Sequence, residues 1–108
     1  MSRQILEQVC EDLLECAVIS SNKEFCESWL AKDESYMRGL RFRDLHPSAD
    51  ALATCASKLS YYAEKLSASS KPELQALAQQ LFDLKSQCQT AIEQQAKRKW
   101  MTPERMGL

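Results

Sequence analysis

Three arginines stand close together near the middle of the chain: Arg38, Arg41 and Arg43. A guanidinium group donates two parallel hydrogen bonds, which suits a phosphate or the edge of a guanine base. The cluster is therefore a candidate anion-binding surface. The alternative is a solvated face on which the arginines form local salt bridges with nearby carboxylates. Those carboxylates belong to Asp33, Glu34 and Asp44.

Residues suited to catalysis or metal binding are scattered along the chain. The five cysteines are Cys10, Cys16, Cys26, Cys55 and Cys88. None forms a Cys-x-x-Cys pair, and the one histidine, His46, has no cysteine near it. A zinc site needs clustered ligands, and a catalytic nucleophile needs a base beside it. We therefore expect no enzyme, no metal, no cofactor, and five free thiols in a reducing compartment.

The composition is typical of an all-α protein. Hydrophobic residues make up 44% of the 108 residues and charged residues 27%, with only two glycines and three prolines. No secretory signal and no apolar run of about 20 residues is visible, so we expect a cytoplasmic protein. A net charge of −1 counts against indiscriminate nucleic-acid binding, although it allows a small basic patch.

Apolar spacing and helix-start signals predict five helices. The first covers residues 3–17. The second opens with a capping box from Ser21 to Glu24, and Asp33 is the expected N-cap of the third. Ser48 caps a fourth helix, and Ser70 to Glu73 is a second capping box before a long fifth helix. The predicted units are a helix-turn-helix-like domain at 1–66, a packing or dimerisation helix at 70–100 and a flexible tail at 101–108.

The fifth helix carries a heptad seam made of Leu74, Leu77, Leu81, Leu84, Cys88 and Ala91. This seam can pack on the fourth helix of its own chain or on a second copy. Because the seam looks longer than the fourth helix can cover, we expect Leu84, Cys88 and Ala91 to lack an intrachain partner. The sequence thus predicts a homodimer, with an interface of Leu77, Leu81, Leu84, Cys88 and Ala91.

From Leu30 to Leu59 the chain resembles the Cro/repressor-type helix-turn-helix family, which includes the lambda-like phage repressors. The matching residues are Leu30, Ala31, Met37, Leu40, Pro47, Ser48, Leu52, Ala56 and Leu59. The resemblance covers about residues 5–60. Trp29 and Leu30 compete for one core position, and Arg41 and Arg43 replace the family's usual Glu and loop Gly. The stretch from Trp29 to Tyr36 also resembles small uncharacterised bacterial proteins with a W-L-x-x-x-E-S-Y core.

This resemblance implies sequence-specific binding of duplex DNA by a dimeric transcription regulator. The positions that would read bases are Glu34, Ser35 and Arg38. The positions that would contact phosphates are Ser21, Asn22, Lys23, Lys32, Arg41 and Arg43. The alternative is a protein-protein interaction module that kept the scaffold and lost DNA binding, which the carboxylates of Asp33 and Glu34 favour.

Two further features have a functional and a structural interpretation. Trp29 and Tyr36 can stack on bases, but aromatic residues at helical spacing more often belong to the core. The run from Lys97 to Trp100 can form an arm that touches phosphates, or it can be a solvated helix end favoured by the helix dipole.

Overall fold

The computed structural model describes residues 2–107, with side chains from Arg3 onward, and this part of the chain is all-α as predicted. Six helices follow one another: α1 (Ser2–Glu15), α2 (Asn22–Glu24, continued by a π-helix over Phe25–Trp29), α3 (Tyr36–Arg43), α4 (Ala49–Ser67), α5 (Pro72–Trp100) and α6 (Pro103–Met106). Among these residues, no helix combines the length and the apolar character needed to cross a bilayer.

α4 and α5 form an antiparallel hairpin, and α1 packs against α5. The thiols of Cys55 and Cys88 meet across the hairpin, and Gln95 Nε2 donates a hydrogen bond of 2.9 Å to Pro47 O. This register places α4 opposite the whole seam, because residue numbers rise on one helix as they fall on the other. Segments 1–66 and 70–100 consequently share one hydrophobic core.

The seam is therefore covered within a single chain. Leu81, Leu84, Cys88 and Ala91 are buried, and Leu77 is packed against the same core. The expectation that Leu84, Cys88 and Ala91 lack an intrachain partner is wrong, because α4 is long enough to reach them. These residues therefore no longer argue for the predicted homodimer.

The π-helix resolves the competition between Trp29 and Leu30. Leu30 N donates to Phe25 O at 3.2 Å, five residues back, so this turn holds one residue more than an α-helical turn. The wider turn rotates both side chains inward, and they are 2% and 0% exposed. The local sequence thus fits an extra core residue without lengthening the helix.

Two left-handed residues bracket α3. Ala31 has φ 55° in the turn before it, and Asp44 has φ 52° at its C-terminal end. Arg43, which stands where the resembling family has its loop Gly, is the last helical residue, and Asp44 takes the strained position. Aspartate tolerates this conformation better than most residues because its short side chain hydrogen-bonds locally.

Helix starts agree with the sequence at α2 and α4, where the Ser21 and Ser48 hydroxyls accept from Glu24 N and Ala51 N. In the predicted capping box the Glu24 carboxylate would accept from the Ser21 N–H, but it accepts from the Ser20 N–H instead. The other two predicted caps are wrong. α3 is capped by Ser35, with the Asp33 carboxylate accepting from Ser35 N at 2.9 Å, because the chain makes an Asx turn first. α5 is capped by Lys71 without a side-chain bond.

The C-terminal segment, which the sequence predicts as a flexible tail, includes a short helix. Thr102 accepts from Arg105 N and caps α6, and Gly107 ends it with a positive φ of 76°. The Arg105 guanidinium donates to Lys99 O, which ties α6 to the last turn of α5. The predicted flexible tail thus contains a helical turn over Pro103–Met106, and Leu108 lies outside the described residues.

Candidate nucleic-acid interface

α3 separates an inner from an outer face as the helix-turn-helix pattern predicts. Met37 and Leu40 are buried at 7% and 6% exposure, and they anchor the helix on the core. Arg38 and Glu34 are exposed. The Ser48 N–H donates to the Tyr36 hydroxyl at 3.0 Å, so the first turn of α3 is also tied to the start of α4.

The three predicted base-reading residues are not equivalent in the structure. Arg38 has no ion pair within 4.0 Å among the described residues, so its guanidinium is available. Ser35 is half-buried, and its hydroxyl donates to the Asp33 carboxylate. These Ser35 hydrogen bonds lower the pKa of Asp33, with a further contribution from the Arg38 charge. Arg38 is consequently the strongest candidate for a base contact, and Ser35 is already engaged.

One group of predicted phosphate contacts lies on the α1 side of α3. A groove of about 510 Å³ runs between α1 and α3, and Asn22, Arg38 and Arg41 line it. Arg41 Nε lies 3.8 Å from Glu7 Oε1, and Asn22 Oδ1 accepts from the Cys10 thiol at 3.3 Å. This flank therefore carries a cation next to carboxylates of α1.

The second group lies on the opposite side of α3. Lys32, Arg38 and Arg43 line a shallow depression of about 800 Å³. Lys32 Nζ is 2.9 Å from Asp50 Oδ2 and 5.7 Å from the centre of the Tyr36 ring. The hydrogen bond with Asp50 raises the pKa of Lys32, so this lysine is charged at neutral pH. Arg38 lines both the groove and the depression, so it has Arg41 on one side and Lys32 and Arg43 on the other.

Ser21 and Lys23, the remaining predicted phosphate contacts, are exposed at the start of α2. The Ser21 hydroxyl accepts from Glu24 N, so its lone pair caps the helix. Neither residue lines the two depressions beside α3. The structure thus brings four of the six predicted phosphate contacts to α3 and leaves these two apart.

The expected salt bridges of a solvated face have different partners from those the sequence suggested. Asp44 pairs with Arg3 at 2.9 Å, and the partners of Arg41 and Lys32 are Glu7 and Asp50. Sequence reasoning missed Glu7 and Asp50 because they lie on other helices. Only the fold brings them to α3.

An apolar patch interrupts the cationic surface. The Phe42 side chain is 91% exposed and Leu45 is 47% exposed, both beside Arg43. Sequence reasoning did not single out Phe42, although an aromatic residue between two arginines on a short helix is a usable signal. Large exposed apolar side chains commonly mark an interaction surface.

Trp29 and Tyr36 support the core interpretation. Trp29 is 2% exposed and stacks on Tyr62 with ring centres 5.6 Å apart. Tyr36 is half-buried and holds Ser48. Trp29 thus presents no free face for base stacking, and Tyr36 packs against the core.

A metal site finds no support in the geometry, since residues 2–107 contain no cluster of three or more His, Cys, Asp or Glu side chains that could hold an ion. All five cysteines are free thiols.

A family model described as a family of unknown function, DUF6626, matches residues 6–101. No curated protein and no solved structure matches the chain.

Proposed function

The chain belongs to the DUF6626 family, and we propose that it binds duplex DNA through α3 as a transcription-regulator-type protein. One observation carries the proposal: Arg38 is exposed in the first turn of α3, with Arg41 on one flank and Lys32 and Arg43 on the other. A helix in the major groove needs this arrangement, since base edges lie ahead of it and phosphates on both sides.

The ion pairs of Lys32 and Arg41 do not oppose DNA binding. Both pairs lie at the surface, where water and salt screen them and they contribute little to stability. A phosphate can therefore take the place of the Asp50 or Glu7 carboxylate at small cost. Binding by such exchange releases counterions from DNA and weakens as salt rises.

The carboxylates at the start of α3 restrict how the helix can approach. The Asp33 carboxylate accepts two hydrogen bonds from Ser35, so its negative charge is held in the turn before α3. Glu34 is exposed, and on a base edge its carboxylate can accept only from a donor such as the cytosine amine. We therefore expect Arg38, rather than Asp33 or Glu34 in the turn before α3, to supply the main sequence preference.

A selection from random duplexes at low salt tests the proposal. Wild-type protein should enrich a short sequence, and Arg38→Ala should reduce preference at one position by about 1–3 kcal/mol. Arg38→Lys keeps the charge but loses the paired hydrogen bonds, so it should lose preference while keeping affinity. Arg43→Ala is the matched control, because it should weaken all sequences alike. No enrichment by the wild-type protein would refute DNA reading.

Phe42 supports a second candidate function, the docking of a protein segment on the same face. A partner for this patch needs an apolar side chain for Phe42 and Leu45 and carboxylates for Arg38 and Arg43, as an acidic amphipathic helix provides. A peptide-display selection should then enrich acidic, apolar peptides whose binding is lost in Phe42→Ala. Enrichment of peptides together with failure of the duplex selection would replace the first candidate with this one.

A further inference from the structure

A dense group of cations lies at the end of α5 and in α6. Residues 97–106 contain Lys97, Arg98, Lys99 and Arg105, against the single carboxylate of Glu104. None of these cations has an ion pair within 4.0 Å in the described part of the chain. A helix C-terminus needs only about half a positive charge to balance its dipole. Four cations therefore exceed what the helix end itself requires.

The fold places the start of this basic segment, residues 97–106, near the loop that follows α3. Gln95 Nε2 donates to Pro47 O at 2.9 Å, and Pro47 ends the loop that follows α3. At about 1.5 Å per residue, Lys97 to Trp100 lie within roughly 8 Å of Gln95 along the helix axis. The Arg105 contact with Lys99 O keeps α6 at the same end. The basic segment and the loop after α3 thus lie at the same end of the molecule, although they are distant in sequence.

The charge of the molecule is divided accordingly. Residues 32–50 and 97–106 together hold eight Lys and Arg against five Asp and Glu, whereas the rest of the chain holds six against ten. The near-neutral total conceals a cationic end and an acidic remainder. A polyanion will approach from the cationic end, which presents α3 and the basic segment together.

We propose that the basic segment is a second contact element for the phosphate backbone of the duplex that α3 reads, an inference that rests on the proposed function. Successive helical residues are rotated by about 100°, so Lys97, Arg98 and Lys99 point around the helix rather than along one stripe. A duplex held by α3 brings the phosphate ridge beside its major groove, which is about 12 Å wide, towards the end of the molecule that carries these cations. Such contacts strengthen binding without adding sequence preference.

The salt dependence of binding to one duplex of arbitrary sequence measures the number of these phosphate contacts. Each phosphate contact steepens the logarithmic salt slope by about 0.9, which is roughly a 3.5-fold loss of affinity between 50 and 200 mM salt. Raising the salt from 50 to 200 mM should therefore weaken binding by the triple variant Lys97→Ala, Arg98→Ala, Lys99→Ala less than it weakens binding by wild type. The difference should be about 3-fold if the variant has lost one phosphate contact and about 40-fold if it has lost three. Its sequence preference in the selection should be unchanged.

A matched control removes the same charge from elsewhere. Lys65→Ala, Lys71→Ala, Lys85→Ala takes three cations from α4, the α4–α5 turn and α5, away from α3, and should leave the slope near wild type. Alanine is a strong helix former, so circular dichroism should show both variants folded.

The outcomes separate this inference from the proposed function. If wild type binds duplex and the two triple variants share one salt slope, the basic segment makes no phosphate contact and the inference is wrong while DNA binding stands. If wild type binds no duplex, both fall. Binding of wild type, but not of the Lys97 triple variant, to phosphatidylglycerol vesicles in that case would assign the segment to an anionic bilayer instead.

Discussion

The thiols show how burial sets the chemistry of individual residues. Burial, with smaller effects from Cys26 and Glu11, raises the pKa of Cys10 from 9.0 to about 11. A hydrogen bond with Cys88 and burial also raise the pKa of Cys55, which faces Cys88 across the hairpin. Cys16 is the one cysteine that is not buried. The cysteines therefore act as small core residues rather than as nucleophiles.

Thiol labelling tests this difference. In the native protein Cys16 should react first, and the other four should react only as the protein opens. Mass spectrometry after alkylation under denaturing, non-reducing conditions should find five modified cysteines. A reproducible deficit would reveal a disulfide.

The raised pKa of Cys10 also makes stability depend on pH. Because the Cys10 thiol holds its proton more tightly in the folded state, its contribution to the free energy of unfolding is present below pH 9 and is lost as pH rises towards 11.

Ala31 provides a second test at the residue scale. Its φ of 55° is strained for any residue with a Cβ, by about 1–2 kcal/mol. Ala31→Gly removes that strain but makes the unfolded chain more flexible, so we expect a net gain of about 0.5–1 kcal/mol in the free energy of unfolding. The same change at Ala76, an exposed position within α5, should lower stability by about 1 kcal/mol. Equal effects at both sites in urea denaturation would show that Ala31 is not left-handed.

At the scale of the helices, the α4–α5 hairpin is the main source of stability. The seam of α5 faces α4 along its length, and α1 adds a third helix to the same core. α3 is held by far fewer side chains, mainly Met37, Leu40 and the Tyr36–Ser48 contact. We therefore expect local opening to begin at α3 and to reach the hairpin last.

Leu84 tests the hairpin directly. The side chain is 2% exposed, so Leu84→Ala should lower the free energy of unfolding by about 2–5 kcal/mol, and Leu84→Lys should lower it further because it buries a charge. Gln87→Lys, on the exposed side of α5, is the matched control and should change stability little. A folded, fully stable Leu84→Lys protein would instead indicate that the seam is exposed in the monomer.

The whole molecule is elongated because α5 is much longer than the other helices. The Cα radius of gyration is 15.4 Å, and the principal extents are 54 × 29 × 18 Å. A compact domain of this length would have a radius of about 13 Å. The extra length carries the end of α5 past the start of α4, which is why the basic segment projects beyond the loop that follows α3.

Solution scattering tests the state of the whole molecule. Since the seam is buried within the chain, we expect a monomer of 12.3 kDa at micromolar concentration, with a radius of gyration near 15.4 Å. A mass twice as large would show self-association through another surface. In that case the paired reading heads of a dimer would again fit two half-sites one DNA turn apart.

The sequence by itself determined the features that depend on neighbours along the chain. Apolar spacing and capping serines located α1, α2, α4 and α5, because helix formation depends on contacts three and four residues apart. The same spacing identified Met37 and Leu40 as inward residues and Arg38 as an outward one. It failed at Asp33 and Ser70, where turns that use other partners decide where the helix begins.

Only the tertiary structure decided what covers each face and which charges meet. An apolar stripe on α5 looks the same in the sequence whether α4 or a second copy covers it, and the register of the hairpin settled this for the residues described. The pairing of Lys32 with Asp50 and the position of the basic segment near the loop after α3 both depend on chain reversal. Such contacts join residues far apart in sequence, so no local pattern encodes them.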